Sequence, residues 1–284
     1  MREIESMREI DKIYLVSCML FLSIIFYQPC VAQTADSVNT EQKVKVPRFE
    51  LSVAGIYSML ETNLRFETLA GLLGININLE EHMGLAKYKL MPVFTGKIHI
   101  KNRHSIFGMY YGLPRSSSFL VDESFEFNGE VISINTQIDT YFNLNVGSIG
   151  YMYDVIRDEK AHLGLFLNFY YLSLKTGISS DQQLLNEDIW LKAPLPNFGA
   201  QTSYRIGKRF GLSGLISLFF LTFDDVSGSM HTLGAQMDYY VSPWLNLGLG
   251  YYWFDLNIEA EDTQFTGILD YTYQGPYLQL GFKF

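Results

Sequence analysis

From Phe49 to the end of the chain, apolar and polar residues take turns. In FELSVAGIYSM, Phe49, Leu51, Val53, Gly55, Tyr57 and Met59 share one face and Glu50, Ser52, Ala54 and Ser58 the other. YKLMPVFTGKIHIK sets Leu90, Pro92, Phe94, Ile98 and Ile100 against Lys89, Thr95, Lys97, His99 and Lys101. QIDTYFNLNVGSIGY sets Phe142, Leu144 and Val146 against Asp139, Tyr141, Asn143 and Asn145. HLGLFLNFYYLSL sets Leu163, Leu165, Leu167 and Phe169 against His162, Gly164 and Asn168. TLGAQMDYYV and WLNLGLGYYW repeat the theme, with Leu233, Ala235, Met237, Tyr239 and Val241 opposite Gln236, Asp238 and Tyr240, and Leu245, Leu247, Leu249 and Tyr251 opposite Asn246. Period two is the signature of strands. RFGLSGLISLFFLTF, 209–223, is apolar on both faces, so its orientation does not follow from the pattern.

The breaks between these segments are of two kinds. Short ones are KNRH (101–104), RDEK (157–160), GKRF (207–210) and VSPW (241–244). Longer, mostly acidic ones cover 76–87, 122–130, 179–190, 224–228 and 259–263. They alternate along the chain and leave ten strands, near 49–68, 88–100, 105–121, 131–156, 161–178, 191–206, 209–223, 228–241, 244–258 and 264–284. A soluble antiparallel sheet also alternates, with its apolar face on a core. An even number of long strands, short turns at one end and longer loops at the other point instead to a membrane barrel. In lipid every backbone N–H and C=O must be paired internally, and a closed barrel does this without an edge strand. The expected fold is all-β: an antiparallel up-and-down transmembrane β-barrel of about ten strands, with eight and twelve as the neighbouring even counts. Several segments exceed the ~9–11 residues that cross a bilayer, so they project beyond it at the loop end.

Composition agrees with one large β domain: 15% of residues are aromatic and 23 are Gly. Net charge is −9, which disfavours a nucleic-acid partner. Both cysteines, Cys18 and Cys30, lie at the front, in and just after an apolar stretch of ~14 residues that follows Arg8 and Lys12. That stretch reads as a signal peptide, 1–32, with cleavage after Ala32; MREI recurs at 7–10, making Met7 an alternative start. Residues 33–48 read as a polar periplasmic linker and 49–284 as the barrel.

The chain closes on GPYLQLGFKF, with Leu278, Leu280, Phe282 and Phe284 at every second position. This tail resembles the C-terminal signature of Gram-negative outer-membrane β-barrels, the porin-like superfamily. The resemblance implies that these four residues form the strand that closes the barrel and is read by the barrel-assembly machinery. It also implies outer-membrane lipid and lipopolysaccharide as surroundings. INLEEHMGL and the stretch from LNLGLGYYW to the tail resemble parts of an outer-membrane family with no assigned activity, so no activity is carried over.

Candidate chemistry is thin. Five histidines are present, His82, His99, His104, His162 and His231, but nothing in their spacing has the nucleophile–base–orienter logic of acyl transfer, and no enzyme is expected. No cofactor or zinc site is expected either. Asp224, Asp225, Glu259, Glu261 and Asp262 are weak candidates for Ca²⁺ or Mg²⁺ within an acidic, solvated rim that also includes Glu80, Glu81, Glu187 and Asp188. Lumen candidates are Glu50, Lys97, His99, Lys101, Asp139, Arg205, Asp238 and Lys283, with Tyr141, Tyr151, Tyr153, Tyr240, Tyr252, Tyr273 and Tyr277 crowding the same space. Two functions fit: a narrow channel for a small solute, or a plugged barrel whose acidic loops meet partners, surface lipid or divalent cations.

Overall fold

In the computed structural model the described residues are 47–66, 75–101, 103–120, 125–127, 130–132, 136–180, 185–223, 226–261 and 266–284. The expected signal peptide, and all of the linker but Pro47 and Arg48, lie outside them. The strands are β1 Phe49–Phe66, β2 Ile75–Asn78, β3 Tyr88–Lys101, β4 His104–Leu120, β5 Phe125–Phe127, β6 Glu130–Ile132, β7 Gln137–Arg157, β8 Ala161–Ser180, β9 Leu185–Ile206, β10 Phe210–Phe223, β11 Val226–Ser242, β12 Leu245–Glu261 and β13 Thr266–Lys283. Ten long strands, β1, β3, β4 and β7 to β13, form a closed up-and-down antiparallel barrel. β2 adds to the loop end of β1, and β5 and β6 make a separate hairpin; β2 and β5 sit in or at the edge of stretches that the sequence pattern leaves as loop, and β6 takes the start of the strand expected at 131–156.

Closure is made by β13 on β1, in register from Glu50 opposite Lys283 to Phe66 opposite Gly267. The last residue takes part in it. Arg48 N and Phe49 N donate to Phe284 O at 2.6 and 3.1 Å, and Phe284 N donates to Phe49 O at 2.8 Å.

Several long strands change, part-way along, which of their faces is apolar. On β1 the outward residues Phe49, Leu51 and Tyr57 are exposed hydrophobics, whereas beyond Tyr57 Leu60 and Leu64 are buried inside. On β7, Ile149, Tyr151 and Tyr153 face out, but Phe142, Leu144 and Val146 face in. On β13, Leu269, Tyr271 and Tyr273 face in and Leu278, Leu280 and Phe284 face out. The cause is the solvent. A strand in lipid must show hydrocarbon outward. A strand standing in water must bury it. On β12, β13 and β1 the switch falls at Trp253, Gln274 and Met59, which are successive cross-strand partners, and Tyr88 on β3 continues that row. Tyr57 and Tyr88 stack there at 5.9 Å. Trp244, at the other end of β12, is exposed. At ~3.3 Å per residue and ~40° of tilt, the nine residues from Trp244 to Trp253 span roughly 23 Å, the height of an outer-membrane belt. The strand 209–223 is resolved too: Ser217 and Phe219 are buried inside, and Phe210, Leu212 and Phe220 face out.

Above the belt the wall divides. Among the described residues, β3 and β4 pair only as far as Val93 opposite Tyr111, and β9 and β10 only as far as Phe198 opposite Leu218. Pro92 and Pro114 flank the first seam and Pro194 and Pro196 the second. A strand proline has no N–H for a ladder, so it belongs where pairing ends. The outer half is therefore two sheets, β4–β7–β8–β9 and β10 to β13 with β1, face to face across an apolar core. Phe142 and Tyr271 stack across it at 6.1 Å, and Tyr111 meets Tyr273 edge-on at 5.9 Å.

Candidate functional site

Two interior compartments follow from this division. The outer one is filled. Leu60, Met91, Leu113, Phe142, Met230, Leu256 and Tyr271 are all at most 1% exposed. Residues 79–87, between β2 and β3, fold inward over the first seam and bury Leu79, Met83 and Leu85. The turn carries Gly84 at φ +62°, where a Cβ would stand 2.8 Å from Ser117 Oγ. Glu80 accepts from Thr62 N at 2.8 Å and Thr62 Oγ1 at 2.9 Å, and pairs with Arg115. The Arg115 guanidinium also reaches Thr62 Oγ1 at 2.7 Å and lies 4.6 Å from the Phe142 ring centre. Glu80 was expected in a solvated rim; its side chain is 4% exposed and its charge is answered by Arg115.

The inner compartment is a cavity of about 1120 Å³ at the short-turn end. Its mouth is edged by Arg48, Lys160, Trp244 and Phe284, and its floor by Tyr111, Tyr170, Tyr252 and Tyr273. The floor packs closely because glycines on one strand receive large side chains from the next: a Cβ on Gly250 would stand 2.5 Å from the Tyr277 ring.

Of the lumen candidates, Glu50, Lys97, His99, Arg205, Asp238 and Lys283 line this cavity. Lys97, Glu50 and Lys283 are directly opposite one another on β3, β1 and β13, a charged row across three strands. His99 Nε2 meets Glu50 Oε1 at 2.7 Å, and Ser105 Oγ lies 2.9 Å from His99 Nδ1. Asp154, fully buried, pairs with Arg157 and with His162 Nε2 at 2.7 Å. Asp238 accepts from Ser213 at 2.7 Å, Gln236 at 2.6 Å and Asn246 at 3.0 Å. Tyr277 OH donates to Gln236 Oε1 at 2.8 Å, which holds that amide in place. Arg205 and Lys283 lie 4.6 and 5.6 Å from the Tyr240 ring centre.

Asp139 is a correction. It is exposed, on the outer wall of β7 at the loop end, bonded to Ser118, while its neighbours Ile138 and Thr140 are buried inside. The error comes from taking the apolar face of that segment as the lipid face, when this part of β7 stands above the belt. The same reason puts Tyr141 on the outer wall, and Tyr151 and Tyr153 are exposed to the outside. Tyr240, Tyr252, Tyr273 and Tyr277 line the cavity, joined by Tyr111 and Tyr170, which alternation alone did not single out. Lys101 is exposed beside the turn.

At the tail, Leu278, Leu280 and Phe284 are exposed on the outer face and Phe282 stacks on Trp244 at 6.5 Å. Among the acidic candidates, Asp224, Asp225 and Asp262 lie outside the described residues. Glu259 is exposed and bonded by Ser227 at 3.4 Å, and Glu261 ends β12 opposite Thr266. Among the described residues no three His, Cys, Asp or Glu gather as metal ligands.

Ser105, His99 and Glu50 form a serine–histidine–carboxylate string that the sequence did not reveal, because it joins three strands. Ser105 has no exposed surface at all. A nucleophile needs room for the carbonyl it attacks. Here the string orders the imidazole, which in turn holds Glu50 between the two lysines.

The fold is that of an outer-membrane β-barrel. The chain matches the outer membrane protease OmpT of Escherichia coli with a TM-score of 0.50 at 11% identity, over 83% of this chain and 96% of that one. It matches the transport unit of the Escherichia coli autotransporter AIDA-I at 0.42 and 8% identity, over 88% and 93% of the two chains. Neisserial surface protein A matches at 0.34 and 10% identity, over 83% and 97%. No protein-family profile matches the chain, and no curated protein matches it in sequence. The likeness is one of architecture.

Proposed function

We propose that this protein is a plugged outer-membrane barrel, whose outer half serves as a surface-interaction module, and not an open channel. The observation that carries this is the apolar core between the two outer sheets, with the buried Glu80–Arg115 pair beneath residues 79–87. A solute would have to pass the Tyr111–Tyr273 and Phe142–Tyr271 contacts to leave the vestibule outward. Opening that path exposes apolar surface at about 25 cal/mol per Å².

In this reading the short-turn end faces the periplasm and the outer sheets stand in the medium beyond lipopolysaccharide. The acidic loops meet partners, surface lipid or divalent cations. The C-terminal strand, with Leu278, Leu280, Phe282 and Phe284, engages the assembly machinery before it closes on β1. No catalytic role is assigned: the Ser105–His99–Glu50 string, found among the described residues, has its serine wholly buried. Single-channel recording in a planar bilayer tests the reading. A stably inserted, silent barrel is the expected result; steady openings at low and high salt would restore the channel.

A further inference from the structure

The vestibule's charges are unevenly satisfied, and that unevenness identifies a ligand. The carboxylates on or just behind its inner wall are used, Asp158 at the turn accepts from Lys160 N and Ala161 N, and Glu159 is exposed at the mouth. Glu50 is taken by His99 at 2.7 Å, Asp154 by Arg157 and His162, and Asp238 by three neutral donors at 3.0 Å or less. Of its cations Arg157 is paired with Asp154, but Lys97, Arg205 and Lys283 are not fully taken up. Among the described residues Lys97 Nζ has only the Met152 thioether, at 3.2 Å, a weak acceptor. Arg205 rests on the Tyr240 ring, and among the described residues no carboxylate lies within ion-pair distance of it or of Lys97. Lys283 Nζ is 3.9 Å from Glu50 Oε2, on a carboxylate already shared with His99. A partly buried ammonium without an acceptor retains unspent hydrogen-bonding capacity, which an incoming anion can take up, and Arg205, exposed at the edge of the vestibule, adds a guanidinium beside it. The floor beyond these cations is different in kind: Ile56, Val93, Phe166, Tyr170 and Tyr273 present ring and hydrocarbon.

We propose that the vestibule is a binding site, entered from the short-turn end, for an amphiphilic anion: a carboxylate or phosphate held among Lys97, Arg205 and Lys283, with an apolar tail lying on the tyrosine floor. A cavity of about 1120 Å³ accommodates such a molecule whole. The Ser105–His99–Glu50 string gains a purpose in this arrangement. It occupies one oxygen of the row's carboxylate, which leaves Lys283 a 3.9 Å contact with the other and Lys97 none within ion-pair distance. The proposal rests on the floor being closed, so the ligand is held and not passed on.

Isothermal titration of the refolded full barrel in a nonionic detergent, with octanoate, octyl phosphate and inorganic phosphate as separate probes, tests this. Heats are taken against empty micelles. The expected result is saturable one-to-one binding of both octyl probes at low salt, and much weaker binding of inorganic phosphate. Lys97→Gln and Arg205→Gln each weaken the octyl probes at least tenfold, Lys97→Arg restores most of the loss, and Lys175→Gln on the outer wall changes nothing. No saturable binding, or unchanged affinity in Lys97→Gln and Arg205→Gln barrels that still migrate as folded, overturns the site. Equal affinity for inorganic phosphate overturns the tail. Conductance separates this from the plugged reading: a barrel that binds octanoate and also conducts keeps the site and loses the plug.

Discussion

Phe142 on β7 and Tyr271 on β13 stack at 6.1 Å from opposite walls, so the barrel is filled across its width above the membrane belt. Phe142 has no exposed surface and Tyr271 only 1%. Truncating Phe142 to Ala leaves a cavity in a core whose neighbours come from two separate sheets. The expected loss is about 3–5 kcal/mol, read as a lower urea midpoint for the barrel in vesicles. A loss below about 1 kcal/mol would mean that the sheets do not rely on this contact.

The Glu80–Arg115 pair is buried on both sides, at 4% and 0% side-chain exposure. Breaking it from one side strands a charge. Arg115→Met alone should cost about 3–5 kcal/mol, while Arg115→Met with Glu80→Leu should be close to neutral. The same urea titration checks both. Equal losses in the single and double variants would contradict the pairing.

The level at which the strands switch faces is a prediction about the membrane. Leu249 is exposed within the belt and Asn145 is exposed above it. Leu249→Arg should destabilise the barrel in vesicles by about 2–4 kcal/mol, as arginine does on the lipid face at mid-depth. Asn145→Arg should stay within about 0.5 kcal/mol, as exposed surface changes do. Similar costs at the two positions would misplace the belt.

Phe284 supplies both a carbonyl and an N–H to the closing seam, through three backbone hydrogen bonds to Arg48 and Phe49. Deleting it should leave a smaller fraction of protein in the fast-migrating, unboiled form on a gel than deleting Gln33. Equal yields would separate closure from the terminal residue.

The barrel itself was legible in the sequence, because lipid imposes a long, regular alternation that few other environments demand. Strand number, turn asymmetry and the lipid face of β8, β11, β12 and the end of β13 all follow from it. The outer half was written in the same residues but in the opposite phase. Leu163, Leu165, Leu167 and Phe169 are followed on β8 by Leu172 and Leu174, and Leu245 to Tyr251 on β12 by Phe254, Leu256 and Ile258. Read as one continuous face, that shift misassigns Asp139 and hides the core; read as a change of solvent, it marks the membrane surface. The vestibule was legible only as a set of inward charges. That Glu50 lies between Lys97 and Lys283 depends on the register of three strands, two of them at opposite ends of the chain. The Glu80–Arg115 pair depends on a loop folding inward, for which local sequence carries no periodic signal.

The central claim is that inward positions of the outer half are core and not water-lined. Residues 33–284 contain no cysteine, so single cysteines can be placed at will. Leu144 and Leu256 face in above the belt, Ser203 faces into the vestibule, and Asn145 faces out above the belt. The measurement is labelling of each by a small charged thiosulfonate added to both sides of the reconstituted barrel. Rapid labelling is expected at Asn145→Cys and Ser203→Cys and none at Leu144→Cys and Leu256→Cys. Labelling of the last two in a barrel that still migrates as folded would mean a water-filled lumen and contradict the plugged reading.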